Sequence, residues 1–162
     1  MNARNRLCLT AALALAGLLA HRPACAAEIS AFVSGGGPSQ TWARGYGGMV
    51  TISLFNIVHG ELEGGWQGSE LPETSIVTGT AKAYLGPTLG PLVPYAGLGA
   101  GVYHTSLAGG SDSGTLGSVF GGVKVKFPLG LVLRAEYQWL NLPQPAPLKL
   151  ENRYFFAVGL HI

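Results

Sequence analysis

Beyond residue 27, apolar and polar positions alternate with a period of two through most of the chain. The clearest stretch is LGLVLRAEYQWL. Leu129, Leu131, Leu133, Ala135, Tyr137 and Trp139 share one face, and Arg134, Glu136 and Gln138 fall on the other. Such a period places successive side chains on opposite faces of a β-strand. Between turn signals the pattern predicts eight strands, over 28–35, 45–55, 58–67, 76–86, 92–104, 115–127, 129–140 and 152–162. Glycine and β-branched residues recur inside these segments, which weakens any helical alternative.

The same division holds on other strands. Leu62 and Trp66 oppose Glu61, Glu63 and Gln67. Val77, Ala81, Ala83 and Leu85 oppose Thr78, Thr80 and Lys82. Val119, Val123 and Val125 oppose Ser118, Lys124 and Lys126, and Tyr46, Val50, Ile52 and Leu54 oppose Thr51 and Ser53. The last strand sets Tyr154, Phe156, Val158, Leu160 and Ile162 against Phe155, Ala157, Gly159 and His161, a set that is mostly small or polar. The fifth strand is ambiguous, because its glycine face also carries Tyr95 and Tyr103, and the first is too short to assign. Connections after strands 2, 4 and 6 read as short. Those after strands 1, 3, 5 and 7 read as longer and polar or Pro/Gly-rich: GGGPSQTWAR, GSELPETS, SLAGGSDSG and NLPQPAPLKLE. An even number of strands with short turns at one end and longer loops at the other is the layout of an outer-membrane barrel.

The N-terminus bears on which solvent those apolar faces meet. Arg4 and Arg6 precede an apolar run from Leu7 to Ala20, and small residues follow at Ala24-Cys25-Ala26 or Cys25-Ala26-Ala27. These are the parts of a secretory signal peptide, predicted over 1–26 with cleavage after Ala26 or Ala27, which leaves 27–162 as one domain. The apolar run is too short for a membrane-spanning helix. Arg4, Arg6 and Arg22 would leave with it, so seven basic residues would face eight acidic ones and the net charge would pass from +2 to −1. Cys8 and Cys25 would leave as well, so no disulfide or cysteine-held metal is expected in the mature chain. No nucleic-acid footprint and no cofactor motif remains. The alternation Gly97, Gly99, Gly101 is a strand pattern with no helix after it, so it does not read as a phosphate loop.

A soluble barrel would show the same alternation with its apolar face inward. Three features favour the membrane form: the export signal, the Gly, Ser and Thr content of the polar faces, and the position of the aromatics. Trp42, Tyr46, Trp66, Tyr137, Trp139 and Tyr154 all fall at the end of the longer loops, as an interfacial girdle would. Phe55 and Phe127 fall at the opposite end. The fold class expected is therefore all-β, an eight-stranded antiparallel transmembrane β-barrel preceded by a cleaved signal peptide.

VPYAGLGAGVYH (93–104), FGGVKVKFPLGLVLRAEYQWL (120–140), GELEGGW (60–66) and the C-terminal strand resemble the small eight-stranded outer-membrane barrels of the OmpA/OmpX and opacity-protein-like group. That resemblance implies an outer-membrane location, contact with outer-membrane lipid, and insertion by the barrel assembly machinery. It implies no single function and identifies no surface partner. In one respect the chain departs from the group: its assembly strand, Tyr154, Phe156, Val158, Leu160 and Ile162, ends on Ile where an aromatic is usual.

The charges predicted to point inward are Glu61, Glu63, Lys82, Lys124, Lys126, Arg134 and Glu136. Eight strands enclose a space that side chains fill, so these are expected to form a compensating network that closes the lumen, with an ion-conducting constriction as the alternative. Glu136 is expected diagonally near Lys124, and Glu63 and Lys82 on neighbouring strands. His104-Thr105-Ser106 has the His-x-Ser spacing of barrel-shaped lipid A deacylases, but it follows strand 5. At the end of strand 7, where those enzymes carry the pair, this chain has Trp139-Leu140-Asn141. His59 is expected at a turn. The function expected is non-enzymatic, structural or surface-interacting, with a small channel or a lipid A-modifying barrel as alternatives.

Overall fold

A computed structural model describes residues 26–36, 43–54, 57–68, 75–107, 110–141 and 152–162. Eight strands run in order: Ala26–Gly36 (β1), Ala43–Leu54 (β2), Val58–Gly68 (β3), Ser75–Leu85 (β4), Leu92–Leu107 (β5), Gly110–Lys126 (β6), Leu131–Asn141 (β7) and Asn152–His161 (β8). Each pairs with the next, and β8 closes on β1 to complete an antiparallel barrel. Closure is pinned where the chain would otherwise fray. The Ile162 amide donates to the Ala27 carbonyl at 2.8 Å, and the Ala27 amide to the Ile162 carbonyl at 3.2 Å. No sheet edge is left along the barrel wall.

Alternation decides what faces where. Leu62, Leu98, Val102, Val158 and Leu160 are exposed on the outside, while Glu61, Glu63, Lys82, Arg134 and Glu136 are buried on the inside. An apolar exterior around a charged interior is the arrangement of a barrel whose solvent is lipid. Among the described residues no helix is long and apolar enough to cross a membrane; the strands cross instead.

The largest departure from the sequence expectation is the hairpin of β5 and β6. SLAGGSDSG reads as a loop, yet β5 runs to Leu107 and β6 begins at Gly110. The connection is shorter than the one over 86–91 at the opposite end, so the expected contrast between short turns and long loops does not hold here. Turn-forming residues find cross-strand partners that favour continued pairing: His104 Nδ1 lies 2.7 Å from Ser113 Oγ, and Thr105 Oγ1 donates to the Asp112 carbonyl at 3.2 Å. Because β7 pairs β6 only from Gly117 onward, the hairpin projects beyond β7.

Candidate functional site: a filled, charged lumen

Register and pleat place the inward residues in layers. In the middle layer, Arg134 on β7 reaches across to Glu61 on β3 with both terminal nitrogens, Nη1 to Oε2 and Nη2 to Oε1, the latter at 3.1 Å. Nη2 also bonds Glu136, and Nε donates to the Tyr95 hydroxyl at 2.6 Å. That hydroxyl donates in turn to Glu136 at 2.8 Å. Lys82 on β4 pairs with Glu63, with Glu136 at 2.9 Å and with Glu61 at 3.4 Å. Thr51 donates to Glu61 at 2.8 Å. Each carboxylate here therefore meets two cations, as burial requires.

Two further groups complete the charge. Toward the loops, Arg153 on β8 pairs with Glu63, and its Nε donates to Gln138 Oε1 at 3.0 Å. Toward the turns, Lys124 pairs with Glu28 at 2.9 Å, and Ser30 donates to Glu28 at 3.1 Å. Among the described residues the buried charges are Glu28, Glu61, Glu63 and Glu136 against Lys82, Lys124, Arg134 and Arg153, and these balance. Aromatic rings fill the remaining space. Tyr84, Tyr95 and Phe120 form one cluster, the tilted rings of Phe32 and Phe155 meet at 5.0 Å, and Arg134 lies 4.8 Å from the Tyr95 ring centre. Above them Ile76, Tyr103, Leu116 and Leu140 form an apolar layer near the loop end.

Among the residues expected inside, Glu61, Glu63, Lys82, Lys124, Arg134 and Glu136 are buried and bonded to one another or to Glu28 and Arg153. Lys126 is the exception, half-buried at the barrel end and without an ion pair among the described residues. It lies at the last rung of its ladder, opposite Val132, beyond reach of the central carboxylates. Lys124 does lie opposite Arg134 in the ladder, but its charge partner is Glu28 rather than Glu136. Glu28 and Arg153 escape sequence reasoning because the strand expected over 28–35 begins at Glu28 and sets Phe32 beside Ser30 on one face, and because Arg153 stands near the start of its strand. Phe155, on the face of the last strand that is otherwise small or polar, is fully buried in the lumen. His59 points inward, stacked on Tyr84 at 4.8 Å and 3.0 Å from Ser53 Oγ, rather than into a turn. Tyr95 and Tyr103 are buried, which resolves the face of β5.

On the outside, Tyr46 and Trp66 pair across β2 and β3 at 5.4 Å, and Tyr137 and Trp139 meet edge-on at 4.7 Å. Tyr154 is opposite Tyr137. All five stand near the loop end; Trp42 lies outside the described residues, as do Phe55 and the 143–147 segment. Phe156, Val158, Leu160 and Ile162 are exposed on the outer face of β8, with Tyr154 partly covered. His104 and Ser106 lie exposed on the projecting hairpin, and His104 is bonded to Ser113. Among the described residues no group of three His, Cys, Asp or Glu side chains could hold a metal ion.

No family model and no curated protein matches the sequence. In structure the chain is similar to Neisserial surface protein A, at 14% identity and a TM-score of 0.63, over 85% of this chain and 95% of that one. It is similar to the N-terminal barrel domain of Pseudomonas aeruginosa OprF, at 20% identity and a TM-score of 0.62, over 87% of this chain and 100% of the other. The outer membrane protein Ail of Yersinia pestis, in a phospholipid bilayer nanodisc, shares 12% identity with a TM-score of 0.57, over 85% and 99% of the two chains. These likenesses establish the fold, an eight-stranded antiparallel transmembrane barrel shared in architecture with several outer-membrane barrels.

Proposed function

We propose that the chain is an exported outer-membrane barrel acting without catalysis, as a structural or surface-contact protein with a closed lumen. The observation that carries this reading is the lumen itself. Its charges balance, they bond one another directly, and aromatic rings occupy the space between them. A conducting pore needs a continuous polar path and charges left for passing ions, whereas here the side chains consume one another.

Residues 1–26 act in this reading as the signal peptide, and the barrel assembly machinery inserts the mature chain through β8. Outer-membrane lipid covers the apolar band, with Tyr46, Trp66, Tyr137, Trp139 and Tyr154 at the outer interface. The surface contact falls to the projecting β5–β6 hairpin, whose Ser111, Asp112 and Ser113 are exposed. Planar-bilayer recording tests the closed lumen. The purified barrel is expected to give no steady single-channel conductance, and a reproducible conductance would overturn the reading in favour of a small channel. Cell fractionation tests the location, since a chain recovered in the soluble periplasm would refute it.

A further inference from the structure

At the loop end the outer face turns polar beyond the aromatics, through Arg44, Asn141 and Asn152. The turn end does the opposite. Ile57 is 53% exposed, Leu89 62% and Ile162 76%, and Leu129 stands fully out of the barrel. The connections over 55–57, 86–91 and 127–130 contain no Asp, Glu, Lys or Arg. These tips continue the outward stripes: Ile52 and Leu54 lead to Ile57, Leu85 to Leu89, and Val123 through Phe127 to Leu129. Leu129 follows Pro128 at φ 68°, ψ 17°, in the left-handed region where glycine is the favoured residue. A leucine held in the left-handed region and fully exposed contributes no packing to the barrel.

Length supplies an independent argument. Tyr46 to Leu54, Trp66 to Val58, Trp139 to Leu131 and Tyr154 to Ile162 each span eight residue steps from the aromatic level to the turn end. At about 3.3 Å per step and a tilt of about 40°, eight steps rise roughly 20 Å along the barrel axis. The apolar band of such a barrel is about 25 Å tall. The strands alone thus fall short by roughly 5 Å, and the shortfall lies at the end whose turns are apolar.

We infer that Ile57, Leu89 and Leu129 enter the acyl region of the leaflet at the turn end and complete the lipid-facing band that the strands leave short. Their partner is the phospholipid of that leaflet. The inference rests on the transmembrane reading of the barrel and extends its lipid contact from the wall to the turns.

The test uses the full chain with Cys8 and Cys25 replaced by serine, refolded into vesicles of phosphatidylethanolamine and phosphatidylglycerol. Single variants Ile57→Cys, Leu89→Cys and Leu129→Cys each carry an environment-sensitive fluorophore. Folding is scored beforehand by the compact gel band before heating, and Thr88→Cys reads the second turn if Leu89→Cys folds poorly. Leu98→Cys, on the mid-wall, reports insertion itself, and Ser113→Cys, on the projecting hairpin, reports water. Tip labels are expected to show blue-shifted emission and loss of intensity with phospholipids carrying quenchers along the acyl chain, as at Leu98 and unlike Ser113. Tip labels that emit as Ser113 does, while Leu98 is quenched, would overturn this inference alone and leave the turns to water or a protein partner. An unquenched Leu98 would overturn the membrane reading as well.

Discussion

Arg134 and Glu61 meet across the lumen as a forked pair, although their strands, β7 and β3, are not neighbours in the sheet. The pair ties opposite walls together, and Glu136 and Tyr95 share the same guanidinium. Removing the cation leaves two buried carboxylates with only Lys82 to compensate them. Arg134→Ala is therefore expected to destabilise the folded barrel by about 3–5 kcal/mol, the cost of breaking a buried pair. Arg134→Lys, which keeps the charge and loses the fork, falls between. Urea midpoints in lipid vesicles check both, and an unchanged midpoint for the alanine variant would refute the network.

Gly97 and Gly60 make a matched pair of tests. A Cβ at Gly97 would stand 2.5 Å from Tyr84 Cβ and 2.8 Å from Phe120 Cζ, while one at Gly60 meets nothing within 4 Å. Gly97→Ala should cost about 1–3 kcal/mol through overpacking, against the Ala83 carbonyl oxygen on β4 as well as the aromatic cluster. Gly60→Ala, on the outer face, should stay within about 0.5 kcal/mol. Equal effects at the two positions would contradict a filled lumen.

The outer stripe of β8 predicts a depth dependence. Val158→Arg places a cation well within the apolar band and should cost about 2–4 kcal/mol, whereas Ile162→Arg, at the strand end, should cost about 0–1 kcal/mol. Refolding equilibria in vesicles measure the difference, and comparable costs would mean that the stripe does not face lipid. Ile162→Phe restores a terminal aromatic and is expected to speed the appearance of the heat-modifiable band in pulse-labelled cells. A slower appearance would argue against β8 as the assembly strand.

The hydrogen bonds of Ala27 bear on export. Cleavage after Ala26 retains the pairing of Ala27 with Ile162, and cleavage after Ala27 removes it. Intact mass of the protein recovered from membranes is expected to match a chain starting at Ala27. A chain retaining Met1–Ala26 would refute the signal-peptide reading.

Alternation within a strand is local, and it sufficed to place eight strands and to point Glu61, Glu63, Lys82, Arg134 and Glu136 inward, because a period of two fixes the face of every residue once one is known. It failed where the local signal was thin or misleading. The stretch expected for β1 begins at Glu28 and mixes Phe32 with Ser30 on one face, Arg153 sits at the start of β8, and Ser111, Asp112 and Ser113 are turn formers that pair across to β5. Lys126 shows the reverse failure, on the inward face by parity and yet too near the barrel end to reach a partner.

Residue order alone is enough to show that this chain forms strands, which faces are apolar and which carry charge, and that the charges nearly cancel. Which side chains meet is visible only in the folded barrel: Arg134 with Glu61, Lys124 with Glu28, Arg153 with Glu63, Phe155 against Phe32. The three ion pairs cross the lumen between strands that are not neighbours, and the ring pair packs inside the closing seam of β1 and β8. Their geometry depends on how the sheet closes and staggers, a property of the whole barrel that no strand encodes alone.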